Sequence, residues 1–102
     1  MSHAYVALLL IHLHFPEAES LKSKRKDLAS AKAQLRTRLG VSVSEVEGQD
    51  TWQRATLAVA ITGGSASSVQ EHADRVERYI VERFPDGSRI DRTVRSFSEV
   101  DG

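Results

Sequence analysis

No cysteine occurs in the 102-residue chain, which excludes disulfides and thiolate metal sites and fits a reducing, cytoplasmic setting. Aromatic residues are scarce, at one tryptophan, two tyrosines and three phenylalanines. Net charge is absent too: fourteen Lys and Arg balance fourteen Asp and Glu, so no global field draws the protein to nucleic acid or to a membrane. No apolar run is long enough to span a bilayer. The stretch from Ala4 to Leu13 falls well short of the roughly 20 residues needed, and it lacks the flanks of a signal peptide. A P-loop, a dinucleotide fingerprint, a nucleophile elbow, an HExxH signature and a paired-carboxylate arrangement are all missing, so neither a catalytic centre nor a cofactor is expected.

What the sequence does have is a local charge asymmetry. Between Ser20 and Leu39, seven cations (Lys22, Lys24, Arg25, Lys26, Lys32, Arg36 and Arg38) stand against the single anion Asp27, leaving a net charge of +6 that the rest of the chain must cancel. The molecule is therefore a charge dipole.

Hydropathy patterning gives six elements. Tyr5 to His14 is apolar at both parities until its last residues, as in a strand at the middle of a sheet. Ser20 can cap a helix over residues 21 to 39, whose Leu21, Leu28, Leu35 and Leu39 form one apolar stripe and which Gly40 stops. Val41 to Glu47 and Arg54 to Thr62 alternate, the second placing Leu57, Val59 and Ile61 on one face, and a short polar loop joins them as a hairpin. Val69, Ala73, Val76, Ile80 and Phe84 lie at helical spacing over residues 67 to 84, and Ile90 to Phe97 supplies a short last strand.

This order predicts one α+β domain over residues 1–97 with a frayed tail at 98–102. It is of the ferredoxin-like βαββαβ type: a four-stranded antiparallel sheet, order 4-1-3-2, with two helices on one face. That topology brings the end of the first strand, the start of the first helix, the hairpin turn and the end of the second helix to one edge. A nucleic-acid or anion site is expected there, built from Lys22, Lys24, Arg25 and Lys26 at a helix start that also offers free amides, and from Gln49, Asp50, Trp52, Gln53 and Arg54 of the hairpin. On a helical wheel Lys22, Arg25, Lys26, Lys32 and Arg36 share a stripe, whereas Lys24 falls on the buried side and must snorkel or find an acid such as Asp50. His12 and His14 share one side of a strand, but no third ligand follows, so no metal site is expected. The opposite sheet face carries Val6, Leu8, Leu10, Thr56, Ala58 and Ala60, too aliphatic for base stacking and suited to a homodimer contact.

Ser20, Leu21, Lys22, Ser23, Lys24 and Arg25 form an S-L-K-x-K-R box, and Gln49 to Gln53 a Q-D-x-W-Q box. In these boxes, their order and their spacing, the chain resembles the bacterial YlxP-like proteins over nearly its whole length. The resemblance implies a ferredoxin-like fold and a family of unknown function. Its members are often encoded beside translation-initiation and ribosome-maturation genes, which implies an RNA or ribosomal-subunit partner. The two histidines of the first strand and the arginine-rich last strand depart from the family pattern. The expectation is thus a non-enzymatic RNA- or ribosome-associated binding protein; the alternative is a homodimeric small-ligand or protein-interaction module that holds an anionic metabolite at the charged edge.

Overall fold

Apolar residues at both parities let the first strand pair on both sides, and it does. In the computed structural model, which describes residues 3–16, 20–48, 51 and 53–102, strand β1 (Tyr5–His14) lies between β3 (Arg54–Gly63) and β4 (Ser88–Ser96), and β2 (Ser42–Glu47) completes the sheet beside β3. The strand order is β2-β3-β1-β4 with every neighbouring pair antiparallel, the expected order read from the other edge. Helices α1 (Leu21–Thr37) and α2 (Ala66–Arg83) cover one face.

Strand parity decides what is buried. Ala7, Leu9, Ile11 and Leu13 of β1 and Ala55, Leu57, Val59 and Ile61 of β3 point at the helices and meet Leu28, Ala31 and Leu35 of α1 and Val69, Ala73, Val76 and Ile80 of α2 in one core. Full burial of a leucine- or isoleucine-sized side chain stabilises by about 1.5–3 kcal/mol, and this core is the main source of stability. Each helix starts on a serine whose hydroxyl accepts from an amide three residues on, Ser20 from Ser23 and Ser65 from Ser68. The α1 helix ends at Thr37, two residues earlier than expected, because the Leu39 amide turns back to the Gln34 carbonyl and Gly40 takes a left-handed φ of 65°.

Three expectations are corrected. Leu21, placed on the apolar stripe, is 39% exposed: it opens the helix at the rim of the layer, and the first α1 side chain the sheet covers is Lys24. The last strand is not short, since β4 pairs with β1 from Ser88 to Ser96. Residues beyond it, expected to fray, form a helical turn, α3 (Phe97–Asp101), which the Phe97 amide ties to the Ala4 carbonyl at 2.9 Å. A capping box holds α3: the Ser96 hydroxyl accepts from the Glu99 amide, and the Glu99 carboxylate accepts from the Ser96 amide at 2.9 Å.

Candidate nucleic-acid interface

The edge that the topology was expected to assemble is assembled. The His14 amide donates to the Gly87 carbonyl at 3.0 Å and the Phe15 amide to the Gln53 carbonyl at 2.8 Å, so the end of β1 is pinned between the turn before β4 and the turn before β3. Phe15 and Phe84 meet edge to face, 5.6 Å between centroids. Arg83 at the end of α2 reaches Asp27 near the start of α1 at 3.7 Å.

Lys24 is the centre of this edge and is wholly buried. Its ammonium donates to the carbonyls of Gly48 (2.5 Å), Arg54 (3.0 Å) and Thr51, three acceptors for three N–H groups. A buried ammonium is tolerable only when its donors are met in this way. Lys24 therefore clamps the β2–β3 hairpin onto α1 and offers no charge to a ligand. Gly48 makes the clamp possible: it adopts φ +85°, and a Cβ there would lie 2.6 Å from the Arg54 carbonyl oxygen.

The basic stripe of α1 divides into two parts. Arg25 and Lys32 flank the Glu45 carboxylate of β2 at 3.8 and 3.9 Å, and Arg36 donates to the Val43 carbonyl at 3.1 Å, so these cations fasten the helix to the sheet edge. Lys22 and Lys26 are exposed and form no ion pair with another described residue, and the first turn of α1 holds no acid. Gln53 is exposed, and its carbonyl is engaged by Phe15. Gln49, Asp50 and Trp52 lie outside the described residues. Arg54 sits directly across from His14 and lines a separate cleft on the open side of the sheet.

That cleft, about 550 Å³, is what the sequence reading missed. His12 lines it, with Nε2 3.1 Å from an Asp91 carboxylate oxygen and Nδ1 3.3 Å from the Thr56 hydroxyl. Asp91 also faces Arg89 at 3.6 Å. The signal was available only through register: His12 pairs with Thr56 on one side and Arg89 on the other, and these positions are 44 and 77 residues away in sequence. Among the described residues no group of three metal-ligating side chains converges. The arginines of β4 alternate in role, with Arg92 reaching back to Asp74 (2.9 Å) and Glu77 of α2 while Arg89 and Arg95 stay exposed.

Residues 6–94 match the family described as "Protein of unknown function (DUF503)". The chain belongs to that family. It is 35% identical over 78 residues to the "Uncharacterized protein YlxP" of Bacillus subtilis (strain 168), a match covering 76% of this chain and 80% of that relative. The YlxP-like resemblance is thereby shown for the chain as a whole. Among solved structures, the "De novo designed protein Foldit4" superposes with a TM-score of 0.61 at 12% identity, covering 91% of this chain and 97% of the other, a likeness of fold alone. A de novo designed protein "LFR1 1 with ferredoxin fold" matches at a TM-score of 0.40 and 13% identity over 94% of this chain and 87% of that one. The family carries no assigned activity, so the residues remain the ground for any functional reading.

Proposed function

We propose that this member of the family is a non-enzymatic cytoplasmic binding protein that associates with RNA or a ribosomal subunit through the edge at the start of α1. The observation that carries the reading is the pair Lys22 and Lys26. Cations in the first turns of a helix oppose its dipole, and neither lysine is needed to hold the fold, since Lys24, Arg25, Lys32 and Arg36 supply the internal contacts. Phosphate oxygens would meet both lysines and the free amides of the helix start together. By clamping Gly48, Thr51 and Arg54 to α1, Lys24 would also fix the described part of the hairpin turn beside them.

Lys22→Ala combined with Lys26→Ala tests this, because neither substitution strips an acid among the described residues of an ion-pair partner, whereas Arg25→Ala would disturb Glu45. The double variant should keep its melting temperature and lose affinity for structured RNA across sequences. The slope of log K against log salt should flatten by about 1.5, the sum of two phosphate contacts at roughly 0.7–0.9 each. Unchanged affinity and slope would remove α1 from the interface. A second reading, an anionic metabolite held in the cleft of His12, His14, Arg54 and Arg89, is supported by that cleft's volume and lining. It would show as binding abolished by Arg54→Ala and indifferent to the lysine pair.

A further inference from the structure

On the face opposite the helices none of the described residues forms a layer over the sheet, and its large side chains are exposed: Leu8 at 47% and Leu10 at 38%. Register arranges this face in rows that run straight across the four strands. One row reads Glu47, Thr56, His12, Arg89; the next Ser44, Ala58, Leu10, Asp91; the third Ser42, Ala60, Leu8, Thr93. Each row is small on β3 and bulky on β1. The first also carries an acid at the β2 end and a base at the β4 end.

We infer that a second copy of this chain covers the face, related by a two-fold axis that runs parallel to the strands between β1 and β3. Such an axis lays β1 over the partner's β3 and β2 over the partner's β4 while keeping every row at its own level. Leu10 and Leu8 then drop onto the small side chains of the opposing Ala58 and Ala60 positions, and His12 meets the opposing Thr56 position. Glu47, which forms no ion pair with a described residue of its own chain, comes over the opposing Arg89 position, and Ser44 over the opposing Asp91 position. The rotation of about 30° between packed sheets shifts the outer strands by roughly 4 Å, within the reach of glutamate and arginine.

The other in-plane axis, perpendicular to the strands, fails on the same rows. It stacks β1 on β1, leucine against leucine, and β4 on β4, bringing Arg89 against Arg95, so the face is self-complementary in one orientation only. Area supports the occupant as well. Strands about 4.8 Å apart, nine residues of β1, β3 and β4 and the six of β2 at about 3.3 Å, give roughly 520 Å² per copy, or about 1,050 Å² in all, which meets the roughly 1,000 Å² expected of a specific interface. The apolar strip also continues onto α3, where Phe97 and Val100 are 55% and 63% exposed beside a 220 Å³ groove reaching Val6 and Thr62. This surface lies on the opposite side of the sheet from α1 and does not depend on the RNA reading.

Charge exchange tests both the partner and the axis. By analytical ultracentrifugation at tens of micromolar the wild type should sediment as a dimer. Glu47→Arg and Arg89→Glu, both at exposed positions, should each shift it to monomer, since each sets like charges opposite one another twice. An equimolar mixture of the two variants should return to dimer, because every 47–89 contact between unlike protomers is then an acid against a base. Unchanged circular dichroism melting would confirm that both variants fold. A monomeric wild type overturns the proposal. So does a mixture that stays monomeric while the wild type dimerises, for the dimer would then use another surface or another axis.

Discussion

Replacing Lys24 by methionine is the sharpest probe of how this fold is held together. Methionine is unbranched and apolar, so it fills much of the same channel and leaves little cavity. Among the described residues, what is lost is three hydrogen bonds from an ammonium to the carbonyls of Gly48, Thr51 and Arg54. Leaving a buried carbonyl without its donor costs about 1–3 kcal/mol, so the gross loss for three is roughly 3–9 kcal/mol. Against this, the variant no longer desolvates an ammonium, which costs several kcal/mol in a protein interior. Thr51 lies at the surface, so its carbonyl can rehydrate; the other two are less able to. The net destabilisation expected is about 2–4 kcal/mol. In a domain of this length each kcal/mol moves the midpoint by about 4–8 °C, so a thermal melt followed by circular dichroism should fall by roughly 10–25 °C. Hydrogen exchange should accelerate first in the turn between β2 and β3 and in the first turn of α1. A variant that melts within about 3 °C of the wild type, with unaltered exchange in that turn, would refute the clamp as a source of stability.

Two further outcomes follow from the same edge and from the C-terminal turn. Gly48→Ala should destabilise by about 2 kcal/mol or more in urea unfolding, since it combines a left-handed φ with a Cβ pressed on the Arg54 carbonyl. The Ser96 backbone hydrogen bond, then its hydroxyl, and Arg95 hold the Glu99 carboxyl below its ordinary value of 4.5. Its contribution to α3 is therefore complete above pH 4.5 and disappears as pH falls through the lowered folded value. The Ser96 and Glu99 amide NMR signals should move toward coil positions over that acidic range and stay fixed above it.

Strand and helix periodicity settles most of the architecture. The alternation of Leu57, Val59 and Ile61, the helical spacing of Val69, Ala73, Val76 and Ile80, and the serine caps are local patterns, and local patterns determine elements and the faces they bury. Even the odd position of Lys24 on the α1 wheel was legible, because a cation at 100° per residue from known apolar neighbours announces a buried partner. Its acceptors were not legible. Among the described residues they are backbone carbonyls, which every residue carries and no sequence pattern marks, and the turn geometry at Gly48 aims three of them at one point, while the acid expected beside Lys24, Asp50, lies outside the described residues. The division of the α1 cations is of the same kind: Arg25 and Lys32 differ from Lys22 and Lys26 in having Glu45 of β2 beside them, a neighbour supplied by sheet packing. Register likewise brought Asp91 and Thr56 to His12 and built the matched rows of the open face. Composition and periodicity are properties of one segment at a time, whereas a site joins segments tens of residues apart, so tertiary structure alone decided which charges hold the fold and which stay exposed.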